Sequence, residues 1–244
     1  MNTNTIAENR LISVEINNET FYKIADVGTM RPFFMSIVSD SNHWMFVSSN
    51  GGISAGRKNP DFALFPYYTD DKITESSEVT GSKTIIRISK NNTTYLWEPF
   101  SVRSEGRYKL SRNLYQNKCC NKILFEEINH DLQLCFQYEW SSSNIFGFVR
   151  QSKLVNLSGE EIELQLADGL QNIMPYGVPT DLQATTSNLA DAYKRSELIP
   201  ETGVGIYALS AIIVDKAEPA EALKANVVWG TGLDKPTYLL STNQ

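Results

Sequence analysis

Cysteine is scarce in this 244-residue sequence: Cys119, Cys120 and Cys135 are all there is. An odd count with two neighbours adjacent does not build a disulfide framework. All three are therefore expected as reduced thiols, with Cys135 buried inside a strand. A zinc site at Cys119-Cys120 fails on spacing, because metal pairs favour Cys-x2-4-Cys. Histidine is scarcer still, with only His43 and His130. That excludes a His-rich metal site and restricts any Ser-His-Asp triad to two bases. His130 lies in an Asn-His-Asp turn and reads as exposed and passive.

A surplus of basic charge is also missing. The net charge is −6, with no run of five or more Lys or Arg. Neutralising phosphates needs such a surplus, so nucleic acid is not an expected partner. No apolar stretch approaches the ~20 residues of a membrane helix, so no membrane is expected either. The opening Met1-Asn2-Thr3-Asn4-Thr5 has no basic or apolar leader region. The chain is accordingly expected in the cytoplasm.

Neither G-x-x-x-x-G-K-[ST] nor G-x-S-x-G occurs. Gly203 to Ala208 fits G-x-G-x-x-A, but the β-branched run Ile212-Ile213-Val214 follows where a dinucleotide site needs a helix. No EF-like spacing follows Asp70-Asp71, so Ca²⁺ is not expected there. The residues call for no cofactor and no metal.

What is present is core material and strand pattern. Hydrophobic residues make up 41% and aromatics 11%, which suits one large all-β domain or two smaller ones. Leu132, Leu134, Phe136, Tyr138 and Trp140 alternate with Gln133, Cys135, Gln137 and Glu139, which predicts a strand buried on one face. Ile162, Leu164 and Leu166 repeat the pattern within 161–167. Further strands are expected at 11–16, 20–25, 33–38, 43–48, 83–89, 94–98, 107–115, 122–128, 146–156, 204–214, 226–229 and 237–241. Asn17-Asn18, Asn91-Asn92 and Asn129-His130-Asp131 supply the turns between them. One helix is expected from Ser187 or Asn188 to about Leu198, and a short second one at Pro219–Lys224. The fold class is an all-β, large antiparallel β-sandwich spanning 1–244 as a single unit with one or two short helices.

Residues 40–72 break the alternation and read as a long connection rich in side-chain chemistry. Within it His43, Trp44, Arg57, Asp61, Tyr67, Asp70 and Asp71 are the candidate ligand-binding residues, with Trp97 joining them from a second polar cluster. Aromatic rings suit the apolar face of a pyranose, and Arg and Asp suit its hydroxyls, so carbohydrate is the expected ligand. The alternative is a structural connection held by its own Arg–Asp pairs and aromatic packing. In the second cluster Glu98 and Glu105 could form a glycosidase-like carboxylate pair, against a solvated charged rim.

The stretch Phe146-Gly-Phe-Val-Arg150, the strand through Leu154-Val-Asn156-Leu-Ser158 and the run into Ala167-Asp168-Gly169-Leu170 resemble a known family. The pattern Arg-x-x-x-Leu-x-Asn-x-Ser, here Arg150 to Ser158, is similar to the N-terminal β-supersandwich domain of cellobiose-phosphorylase-like enzymes and related glycoside hydrolases. That domain shares its fold with galactose mutarotase. The region of Gly51-Gly52, Ala55-Gly56-Arg57 and Phe65-Pro66-Tyr67 is similar to the family's early loops. The resemblance implies a non-catalytic domain that packs on a C-terminal (α/α)6 barrel of the same polypeptide, can lend a loop to its active site, and can form homodimer contacts. It transfers no catalytic residue, and the mutarotase base has no counterpart at either histidine. A stand-alone carbohydrate-binding module and an aldose epimerase or mutarotase remain as alternative readings.

Overall fold

The computed structural model describes residues 11–90, 92–185, 187–213 and 220–240. In chain order the strands begin with β1 (Leu11–Ile16), β2 (Glu19–Ile24), β3 (Phe34–Ser36), β4 (His43–Ser48), β5 (Ile53–Arg57) and β6 (Ala63–Phe65). Helix α1 (Asp70–Glu75) follows, then β7 (Gly81–Lys90), β8 (Thr93–Trp97), β9 (Leu110–Asn117), β10 (Lys122–Asn129), β11 (Leu134–Ser143), β12 (Gly147–Asn156) and β13 (Glu163–Gln171). The chain finishes through α2 (Thr180–Thr185), α3 (Ser187–Tyr193), β14 (Lys194–Ile199), β15 (Val204–Leu209) and β16 (Ala225–Val228). It forms two compact units: one comprises the chain up to Ile53 with Thr69–Gln171, the other Ser54–Tyr68 with the chain from Asn172 onward.

The first unit is an antiparallel sandwich. One sheet has the order β1-β2-β9-β10-β11-β12, and the other β13-β7-β8. Register explains what lies between them. Phe125 pairs with Tyr138 and Leu114, Ile123 with Trp140, and Glu127 with Phe136, so these side chains share one face of the larger sheet. From the smaller sheet Ile86, Ile88 and Trp97 are fully buried. The alternation of 132–140 is realised as expected: its five apolar members are buried. The opposite face of the larger sheet carries its own cluster of Phe21, Tyr115 and Leu124 with Val14 and Ile16. Between β1 and β2 the chain reverses at Asn17 (φ 50°) and Asn18 (φ 63°), the left-handed pair that a tight hairpin requires.

The second unit carries a β14-β15-β16 antiparallel sheet and the β5–β6 pair. Its core gathers Met174, Val178, Ala190 and Leu209, with Leu182 and Tyr193 packed on them.

Five expectations are corrected. The 40–72 segment is not a long connection, since it holds β4, β5, β6 and the start of α1. β4 was expected at 43–48, but β5 escaped notice because it is buried on both faces, Ile53, Ser54 and Ala55 being inaccessible, and such a strand shows no alternation. The helix expected to Leu198 stops at Tyr193, and Lys194–Ile199 pairs with β15 instead. Hairpin pairing with β15 there overrides local helix propensity. Residues 220–224 of the expected second helix are not helical, and 219 lies outside the described residues. Residues 237–240 form no strand, with 241 outside the described residues, and the strand from 204 ends at Leu209 rather than 214. No helix among the described residues is long and apolar enough to cross a membrane.

Candidate functional site

The eight residues singled out from the sequence fall in both units. In the first unit His43 opens β4. Its Nδ1 is bonded to Ser142 Oγ (2.6 Å) and Ser41 Oγ (3.1 Å), and its ring lies 4.8 Å from that of Phe148. Trp44 follows on the same strand, 5.9 Å from Phe46. Asp71 is exposed in α1, and the hydroxyl of Thr69 donates to it, holding its carboxyl below the ordinary range. Asp70 heads the same helix, and its side chain lies outside the described residues.

Trp97 is wholly buried, and its Nε1 donates to Glu127 Oε1 at 2.7 Å. An enclosed indole offers no stacking face to a ligand, so Trp97 holds the core.

In the second unit Asp61 Oδ1 accepts from both the backbone N–H and the hydroxyl of Thr180, each at 2.7 Å, at the first residue of α2. Those bonds hold its carboxyl below the ordinary value. Tyr67 donates its backbone N–H to Gln183 Oε1 (3.0 Å) one turn further along α2. Asp61 and Tyr67 are thus brought together on one helix, where they secure it. Arg57 is exposed at the end of β5 and, among the described residues, forms no ion pair with Asp61.

The geometry that sequence reasoning missed is a cleft within the first unit. Asn50, Gly51, Ser77, Glu78, Ser82, Lys83, Thr84, Phe100, Ser101 and Tyr138 line a space of about 20 Å³ inside a partly open hollow of about 350 Å³. Tyr138 forms its floor. The side chain is only 2% exposed, its ring stacks on Phe125 at 4.6 Å, and the Arg150 guanidinium sits 5.2 Å above it. Burial pushes its phenol well above the ordinary value, so the hydroxyl stays protonated and can donate at neutral pH. Gly51 roofs that hydroxyl. At φ +96° a Cβ there would be strained, and it would meet the Tyr138 oxygen at 2.9 Å.

Phe100 stands beside the floor, edge-on to Tyr138 at 5.2 Å and 84°. Its φ of +64° places a bulky side chain in the left-handed region, which costs on the order of 1–3 kcal/mol and concentrates at functional positions. Glu127 holds it there. This carboxylate is fully buried on β10, and three donors converge on it: Trp97 Nε1, the Phe100 N–H at 2.8 Å and Arg112 Nε at 2.6 Å. A buried charge persists only when bonded in this way.

The rim is charged but internally matched. Lys83 is paired with Glu78 at 3.2 Å and with Glu98, and Arg103 also reaches Glu98 at 3.4 Å. Burial raises the Glu78 carboxyl, but the Val102 N–H, Lys83 and Ser101 outweigh it and hold it below the ordinary value. Glu98 and Glu105 are occupied separately, the first buried under Lys83 and Arg103, the second exposed on Arg112. Among the described residues no group of three or more His, Cys, Asp or Glu could hold a metal ion.

A second structure-bearing cluster involves the residues of the family resemblance. Arg150 on β12 reaches across to the smaller sheet. Its Nη1 and Nη2 donate to the two oxygens of Asp168 on β13 at 2.9 and 2.8 Å, and its Nε donates to Ser82 on β7 at 2.7 Å. Burial raises the Asp168 carboxyl, but Arg150, Ser152 and Thr84 together bring it below its ordinary value. No protein-family model matches the chain, and no curated protein matches it.

Proposed function

We propose that this chain is a non-catalytic sandwich domain of a carbohydrate-active enzyme of the glycoside hydrolase or glycoside phosphorylase type. In this reading it resembles a galactose-mutarotase-like supersandwich, supports a catalytic (α/α)6 barrel of the same polypeptide, and contributes to saccharide binding. One observation carries the reading. Arg150, the first residue of the Arg-x-x-x-Leu-x-Asn-x-Ser pattern, is a bidentate clamp between the two sheets of the first unit. A motif residue that holds sheets together belongs to a frame rather than to a reacting centre. The other buried charges agree with it: Glu127 and Glu98 are bonded to groups of the fold itself.

A stand-alone carbohydrate-binding module is the second reading, favoured by the aromatic and hydroxyl-lined cleft at Phe100 and Tyr138. A mutarotase needs a histidine and a carboxylate converging on one substrate oxygen. His43 Nδ1 and His130 Nε2 meet serine hydroxyls instead, which counts against that third reading.

The test has two parts. The purified chain, given cello-oligosaccharides and inorganic phosphate, is expected to release neither glucose nor glucose 1-phosphate above the buffer rate. The coding sequence beyond Gln244 is expected to continue into the helical repeats of an (α/α)6 barrel. Turnover by the chain alone, or a reading frame lacking those helices, overturns the proposal.

A further inference from the structure

We infer that the cleft between Gly51, Phe100 and Tyr138 is a monosaccharide subsite that takes one hydroxyl of a neutral pyranose. This rests on the carbohydrate reading above and gives it a location.

The first observation is the Tyr138 hydroxyl. It lies at the tip of a residue that is 2% exposed, next to Gly51 and in the lining of the cleft. Here it is directed into a space of about 20 Å³, room for one oxygen-sized group.

Second, other hydroxyls stand ready beside it. Ser82 Oγ already accepts from Arg150 Nε (2.7 Å), and Ser77 Oγ accepts from Asn50 Nδ2 (3.4 Å). Each therefore keeps its hydrogen to give. Tyr138, Ser77 and Ser82 together can donate to an incoming oxygen, and the tyrosine oxygen can also accept, which is the dual demand of a sugar hydroxyl.

Third, the charge of the rim selects neutral ligands. Lys83 is neutralised by Glu78 and Glu98, so an anion meets two carboxylates and a cation meets an ammonium. Fourth, Phe100 is held in a strained backbone conformation by Glu127 at the wall of the cleft and is half-buried there. An aromatic ring fixed in that way is suited to cover the apolar face of a pyranose whose hydroxyl enters the floor. The enclosed space excludes the ring itself, so specificity falls on a single hydroxyl position.

The test is Tyr138→Phe, which keeps the ring and removes only the oxygen. D-glucose and cellobiose are titrated into the whole chain and followed by backbone amide shifts. The expected result is shifts at Gly51, Ser82 and Phe100 in the unaltered protein and an affinity about tenfold weaker in Tyr138→Phe. Ser77→Ala, which leaves the core intact, gives a smaller loss of about threefold and serves if Tyr138→Phe does not fold. Equal affinity in the variants, or no shift at these amides with either sugar, overturns the subsite. The framing role is judged separately by the turnover and reading-frame tests, which do not depend on this cleft.

Discussion

Asp168→Asn tests whether the Arg150 clamp carries the sandwich. The side chains of Arg150 and Asp168 are 7% and 12% exposed, so the pair belongs with buried ion pairs rather than surface ones. Asp168 also accepts from Ser152 Oγ and Thr84 Oγ1, each at 2.6 Å. Asparagine keeps one acceptor and turns an amide toward a guanidinium, leaving Arg150 buried without its charge partner. Removing one member of such a pair costs about 3 kcal/mol, on the order of a hundredfold in the local opening constant. Because the chain forms two units, amide hydrogen exchange in β12 and β13 is a better readout than a global midpoint. The pH dependence gives a second check. The folded carboxyl lies below its unfolded value of about 3.9, so its contribution is complete above that value and is lost as pH falls through the folded one. The variant should therefore show a shallower acid limb. An exchange increase below about fivefold would place the pair in the surface class and refute the clamp. The double variant Arg150→Met with Asp168→Leu should recover most of the loss, since apolar replacement of a whole buried pair is near neutral.

Glu127→Gln should cost about 3 kcal/mol, because a fully buried carboxylate that receives Trp97, Phe100 and Arg112 loses its charge; urea unfolding followed by tryptophan emission measures it. Gly51→Ala should destabilise by about 2 kcal/mol, since φ is +96° and the new methyl meets the Tyr138 hydroxyl; an unchanged thermal midpoint would contradict that crowding. Cys119 and Cys120 are exposed while Cys135 is buried, its thiol pushed up to about 11 by burial. Two thiols should accordingly react with a disulfide reagent in the native protein and the third only after unfolding.

The half-buried strands were legible in the sequence because their physics is periodic. Leu134, Phe136, Tyr138 and Trp140 declared a face, and Asn17-Asn18 declared a turn. Ile53–Arg57 was not legible, since a strand covered on both faces carries no alternation. Lys194–Ile199 was read as helix because its partner β15 lies beyond a turn, and pairing of that kind leaves no local trace. The site was less legible than the fold. Tyr138 looked like core and is core, but the place of its hydroxyl in a cleft depends on how closely Gly51 approaches. Phe100 gave no hint of a left-handed backbone, because the conformation is imposed by the distant Glu127. Trp97 was drawn into the ligand set by its type and neighbours, and only packing reveals that its indole faces Glu127. Asp61 and Tyr67 were found as polar loop residues, yet both meet α2, a helix that was not anticipated.

The most direct test is one sample, the labelled chain with cellobiose and inorganic phosphate, observed by NMR over time. The expected result is shifted amides at Gly51, Ser82 and Phe100 with the amount of cellobiose unchanged over time, as for a domain that holds sugar without cleaving it. Growth of glucose or glucose 1-phosphate signals in that sample would contradict it.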